Sequence, residues 1–196
     1  MWTIPIIKRA IINNRKSHPV SYISEIIRQI GFTSGTTRVT IYRPLLTKRI
    51  LQYFNATNIL DISSGWGGRM LGTCCIQGTS YTGIEPCKKT YNGLKSIVNK
   101  LNLQNVTLYN SPAEDIIKNL NKEYCLAITS PPYFNLESYS NEKNQSLNKY
   151  KTYDKWIIGF LEPCIIGVLS KIVVGGYSCW SIKNFKTDKK YNLLDD

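Results

Sequence analysis

Asn58-Ile-Leu-Asp61-Ile-Ser63-Ser-Gly65-Trp-Gly67-Gly68-Arg69 is the stretch on which the fold turns. An apolar run, Asn58 to Ile62, reads as a buried strand, a glycine-rich turn follows, and a helical pattern runs from Arg69 to Ile76. Where a strand meets a helix through glycines, backbone can approach a ligand closely. Glycine turns sharply with no Cβ in the way, and the following helix offers unpaired N–H groups. The same residues also read as a tight strand-to-helix turn with no ligand. Two nucleotide motifs do not fit: Gly72 falls two positions late for a G-x-G-x-x-G that starts at Gly65, and Gly-Lys-Ser/Thr is absent.

Outward from this loop the chain alternates. Strands are expected at 81–84, 106–109, 125–129 and 177–182, with helices at 87–101, 113–120 and 153–172 between them. That alternation predicts an α/β fold whose mostly parallel sheet carries helices on both faces. Upstream, Ile23, Ile26, Ile27 and Ile30 mark an amphipathic helix from Val20 to Ile30 that Gly31 closes, and a Thr/Ser/Gly loop spans Thr33 to Thr37. A second helical pattern puts Leu45, Leu46, Ile50, Leu51 and Phe54 on one face. The polar stretch 135–151, with Tyr139 and Tyr150 embedded, is long enough to be either a functional lid or disordered.

With 196 residues the chain accommodates one such domain plus an extension, placed at 43–196 and 1–42. The net charge of +12 is uneven, since residues 1–50 hold nine basic side chains against one acid. A polyanion is therefore the expected partner of a basic amino-terminal helical segment; a solvated cover over the sheet is the alternative. Six cysteines with no C-x-x-C and a single histidine, His18, argue against a structural zinc site and for reduced thiols in an intracellular, soluble protein. The apolar start, interrupted at Pro5, is too short for a signal or membrane segment.

Four positions carry chemistry. Asp61 at the mouth of the loop suits a ligand with an ammonium group. Glu85 closes the second strand 24 positions later, near the spacing at which an acid meets ribose hydroxyls, although a solvated strand-end Glu reads the same way. In Asn110-Ser-Pro-Ala-Glu114-Asp115 an acid or an N–H could meet an adenine ring; Glu114 and Asp115 equally suit the first turn of a helix. Finally, Ser130-Pro131-Pro132-Tyr133 ends the fourth strand on the same carboxyl edge as the glycine loop. Two prolines make a rigid elbow, while the Ser130 oxygen and the Pro131 carbonyl offer acceptors for an amino group whose lone pair is delocalised. Tyr133, with Phe134 beside it, offers a surface for a swung-out base. A proline-rich turn that merely caps the strand is the plain alternative.

Together the two motifs resemble those of class I S-adenosylmethionine-dependent amino methyltransferases, the adenine-N6 and cytosine-N4 DNA methylases, over roughly residues 40–182. The resemblance implies a Rossmann-like sheet, S-adenosyl-L-methionine as cofactor, and DNA (or RNA) as partner. It further implies that Asp61, Ser63, Gly65, Gly67 and Gly68 bind the methionine part, Glu85 the ribose, and the segment at Glu114 the adenine. Ser130, Pro131, Pro132 and Tyr133 become the catalytic motif. Serine in first position is more typical of the cytosine-N4 group. Arg43 to Lys48 lies where the family often has a further cofactor-contacting helix. Two departures are notable. Pro112 stands where a polar side chain is frequent, and only 14 residues follow Ile182, so the terminal antiparallel strand pair is expected to be absent, through truncation or because a protein partner completes the sheet. RNA-base or protein-glutamine methylation and a catalytically silent nucleic-acid-binding subunit are the other readings.

Overall fold

A computed structural model describes residues 5–17, 22–33 and 41–195. Two compact units emerge, Met1–Ile41 and Tyr42–Asp196. The smaller consists of α1 (Pro5–Ser17) and α2 (Ile23–Thr33), which pack on each other. Lys8, Arg9, Arg15 and Lys16 are exposed along α1. Helix α2 continues two residues past Gly31, and beyond Thr33 the loop expected to Thr37 lies outside the described residues, as does His18.

The larger unit opens with α3 (Pro44–Tyr53), where Pro44 sits in the first turn and loses no ladder bond. Thr47 and Leu51 are its buried positions, while Leu45 and Leu46, assigned to the inner face by pattern, are exposed. The inner face is set by α4 (Gly68–Cys74), which approaches so closely at Gly72 that a Cβ there would strike the Pro44 carbonyl and come within 2.6 Å of Thr47 Cβ.

Strands β1 (Asn58–Asp61), β2 (Ser80–Ile84), β3 (Val106–Tyr109), β4 (Tyr124–Thr129) and β5 (Ile172–Trp180) form one parallel sheet in the order β3-β2-β1-β4-β5. Side chains alternate across it. Ile59, Tyr81, Leu126 and Ile128 join Leu51, Met70 and Leu94 in one core, so α3, α4 and α5 (Lys88–Lys100) cover that face. Leu60, Ile84 and Ala127 join Ile117, Trp156, Phe160 and Val168 in the other. The expected helix at 113–120 is α6 (Ala113–Ile116) followed by a 3-10 turn, Ile117–Asn119.

The second face is completed by α7 (Ser146–Lys149), α8 (Tyr153–Trp156) and α9 (Glu162–Leu169). Between α8 and α9 the helix widens into a π turn, Ile157–Leu161. The cause is local: Pro163 has no N–H to return to Gly159, so the ladder shifts there. Strand β5 starts five residues earlier than its pattern indicated. Gly175, at φ +81°, and a break in register between Tyr124 and Leu126 let three extra residues bulge out of the ladder.

The expectation that the terminal antiparallel pair is absent is wrong. After β5 the chain forms a hairpin of β6 (Phe185–Lys186) and β7 (Lys190–Tyr191), antiparallel and bonded to each other as a separate two-stranded sheet. Two-residue strands show no periodicity, so the pair is invisible to pattern; packing stabilises it. Phe185, Tyr191 and Leu193 are buried in the second core, with the Phe185 and Tyr191 rings stacked at 4.9 Å. Among the described residues, no helix is long and apolar enough to cross a membrane.

Candidate active site

The glycine loop is shaped from beneath by a buried ion pair. Asp61 is 0% exposed and accepts four hydrogen bonds: from Arg69 Nε (2.7 Å) and the Tyr81 hydroxyl (2.7 Å) at Oδ2, and from Ser63 N (3.1 Å) and Thr129 Oγ1 (3.3 Å) at Oδ1. Arg69 also donates to the Ser63 carbonyl, and its guanidinium lies 4.9 Å from the Tyr42 ring centre. Desolvation pulls the Arg69 pKa down and Asp61 more than restores it, so the cation persists in the interior. Thus Asp61, expected to meet a ligand's ammonium, spends both oxygens on the protein and acts by fixing the loop. Its partners lie 8 and 20 positions downstream, and only the fold brings them together.

Above this base, Gly65 and Gly67 hold φ of +52° and +82°, a region costly for other residues. A Cβ on Gly67 would also come within 2.8 Å of Leu94 Cδ2. Gly68 opens α4. The Gly65 N–H donates to Glu85 Oε2 at 3.0 Å, and Cys87 N donates to Oε1 at 2.8 Å. Glu85 therefore stands at the carboxyl end of β2 facing the loop, 7% exposed. Burial pushes its pKa up to about 7, against the lowering effect of those two N–H bonds and helped by the Asp61 and Glu142 charges. Each of its oxygens retains a lone pair for a further donor. Asn110 Nδ2 braces the turn through the Glu85 and Pro86 carbonyls at 2.9 and 3.0 Å.

Glu114 is placed differently from the expectation. Its carboxylate accepts from Lys149 Nζ at 3.0 Å and the Tyr150 hydroxyl at 3.2 Å, and its side chain is only 4% exposed. It anchors the segment 135–151, and the signal for that partnership lies 35 positions away, beyond any local pattern. The segment is bonded to the rest of the fold at several points. Besides Lys149 and Tyr150, Glu142 accepts from Lys88 N (3.2 Å) at the start of α5 and Asn144 donates to the Pro86 carbonyl (2.7 Å). The Tyr150 ring covers the Gly159 backbone, leaving no room for a Cβ. A groove of about 910 Å³ opens between Trp66 of the glycine loop, one side of α5 (Lys89, Thr90, Leu94) and residues Tyr139 to Glu142 of the segment.

The Ser-Pro-Pro-Tyr loop is bonded directly to the glycine loop. Ser63 Oγ lies 2.7 Å from Thr129 Oγ1 and donates to the Ser130 carbonyl at 2.8 Å. On the other side, Ser130 Oγ (3.3 Å) and the Tyr133 hydroxyl (3.2 Å) both donate to the Ser181 carbonyl, just past β5. Ser130 Oγ thus keeps its lone pairs as acceptors, and the Pro131 carbonyl has no donor among the described residues. Pro132 and Tyr133 are half-buried, Phe134 is buried against Trp156 and Tyr191, and the Tyr133 ring meets Phe185 edge-on at 5.5 Å. Phe134 is thereby a core residue, and Tyr133 is the aromatic left at the rim. The roles of Ser63 as a strut and of Ser181 as a common acceptor had no sequence signal, since neither residue belongs to a motif that names such a contact.

No family model and no curated protein matches this sequence. Solved structures do. A protein described as an rRNA methylase from Clostridium thermocellum aligns with a TM-score of 0.52 at 14% identity, over 77% of this chain and 77% of its own. A protein described as a caffeoyl-CoA O-methyltransferase from Staphylococcus aureus aligns with a TM-score of 0.51 at 15% identity, over 89% of this chain and 72% of its own. A methyltransferase-described protein from Streptococcus mutans, solved in complex with SAH, aligns at 0.49 with 16% identity, over 72% and 73%. The fold is that of the class I S-adenosylmethionine-dependent methyltransferases. Likeness at these identities speaks for architecture alone, and the chemistry has to come from the site.

Proposed function

We propose that this chain transfers the methyl group of S-adenosyl-L-methionine to the exocyclic amino group of a base in DNA, cytosine-N4 or adenine-N6. One observation carries the reading. Ser63 bonds the glycine loop to Ser130 and Thr129, so the ligand-facing loop and the amino-binding loop share one braced edge. Glu85 would hold the ribose diol, and the backbone at Gly65 to Gly68 would meet the methionine part.

The cofactor supplies an electrophilic methyl on a sulfonium. The chain's own part is to prepare the nitrogen. The Pro131 carbonyl and Ser130 Oγ accept its two N–H groups, drawing the nitrogen toward tetrahedral geometry and aiming its lone pair at the methyl carbon. With the cofactor bound, transfer of its methyl would leave positive charge on the nitrogen beside these two oxygens, which would stabilise it until the surplus N–H proton passes to solvent. Tyr133, pinned by its hydroxyl to Ser181, offers its face to the flipped base. The basic surplus and the serine-first motif favour a nucleic acid, and within it DNA, over protein.

The test is to incubate the purified chain with labelled S-adenosylmethionine and DNA, RNA or protein, with Tyr133→Ala as control, and to identify the modified nucleoside. Label in DNA that the variant fails to incorporate is the expected result. Label in RNA or protein alone would overturn the substrate, and cofactor binding without transfer to anything would leave a silent subunit.

A further inference from the structure

We infer that the β6–β7 hairpin is the phosphate-holding rim of the acceptor site, its lysines seating the DNA backbone that flanks the base at Tyr133. This rests on the function proposed above. The hairpin is joined to the amino-binding loop at several points. Phe185 meets the Tyr133 ring, Asn135 Nδ2 donates to Asp188 at 3.0 Å, Thr187 Oγ1 lies 2.7 Å from Asn135 Oδ1, and Lys183 Nζ stands 5.8 Å from the Tyr133 ring centre. Whatever lies against Tyr133 therefore lies beside this hairpin.

Its charge is the second observation. Between Ser181 and Tyr191 there are four lysines, 183, 186, 189 and 190, and a single acid, Asp188. All four lysines are exposed. Among the described residues none pairs with a carboxylate, whereas Arg28, Arg69 and Lys149 each do. Asp188 is bonded instead by neutral groups, Asn135, Thr187 and the Tyr191 hydroxyl at 2.9 Å, and those bonds hold its carboxyl below the usual range. Strand alternation turns Phe185 and Tyr191 inward and Lys186 and Lys190 outward. Those two lysines are direct cross-strand partners. Like charges set opposite each other disfavour the hairpin unless an anion sits between them.

The occupant follows from chemistry and position. A base swung onto Tyr133 stays tethered to the phosphates on either side of it, and these must lie within one nucleotide's length of the ring. An unpaired cationic surface on the outer face of the hairpin whose inner face meets Tyr133 fits a sugar-phosphate backbone that runs on past the ring, with phosphate contacts that position the strand without reading its sequence.

The experiment measures binding of the full chain to a fluorescent DNA duplex across 50 to 200 mM salt, for wild type, Lys186→Gln/Lys190→Gln and Lys186→Arg/Lys190→Arg. Each phosphate contact contributes about 0.9 to the slope of log K against log salt. The Gln pair should lower the slope by close to 2 and weaken binding about tenfold at low salt. The Arg pair should keep both, and the Gln pair's affinity for S-adenosylhomocysteine should be unaltered. An unchanged slope in the Gln variant overturns the inference even if DNA is methylated. A hairpin-dependent slope without methyl transfer supports the rim and sinks the proposed reaction. A slope that depends on the hairpin with an RNA probe and not with DNA overturns the stated occupant.

Discussion

Asp61→Asn keeps the volume of the side chain and one acceptor oxygen but removes the charge that Arg69 faces at 2.7 Å. Arg69 stays 4% exposed, with Tyr42 over its guanidinium and the Ser63 carbonyl as its remaining acceptor. An uncompensated buried charge of this kind costs about 3–5 kcal/mol. The new amide N–H₂ also points at donors, since both oxygens of Asp61 receive hydrogen bonds. Against a typical stability of about 5–15 kcal/mol, the variant should unfold at a much lower urea concentration and bind S-adenosylhomocysteine poorly. The control is Arg69→Met, alone and combined. If the pair acts as argued, Asp61→Asn/Arg69→Met is more stable than Asp61→Asn, because the stranded cation is gone. A loss below about 1 kcal/mol for Asp61→Asn, or strictly additive losses in the cycle, would refute the reasoning.

Other outcomes follow from the same geometry. Glu85 has a folded pKa of about 7, above its ordinary 4.5, so its contribution to stability is complete below about pH 4.5 and is lost as pH rises toward 7. At ~1.4 kcal/mol per unit the swing is about 3.5 kcal/mol, and Glu85→Gln should flatten that part of the urea-stability profile. On the proposed ribose contact the ionised carboxylate is the better acceptor for the diol, so S-adenosylhomocysteine affinity measured by calorimetry should climb with pH to about 7 and level off; a flat profile would exclude Glu85 from the ribose. Tyr133→Phe should retain most of kcat/KM because the ring remains, whereas Tyr133→Ala loses about 1–3 kcal/mol of stacking in a methyl-transfer assay. Gly72→Ala must drive α3 off α4 at Pro44 and Thr47, at a cost of about 1–3 kcal/mol in urea unfolding.

What could be read in the sequence was whatever chemistry is local. The strand at 58–61, the positive-φ glycines, the acid ending β2 and the proline elbow after β4 all announce themselves within a few residues, because strand period and turn geometry are short-range properties. The order of alternation was enough to place both loops on one edge of a parallel sheet. Tertiary structure alone decided the partners. It turned Asp61 inward to Arg69 and Tyr81, gave Glu114 to Lys149 and Tyr150, exposed Leu45 and Leu46, and stabilised a hairpin too short to show a pattern. A buried charge takes whichever donor the neighbouring strand and helix deliver. A two-residue strand persists only through the aromatic rings it packs beneath, and both depend on contacts that are distant in the chain.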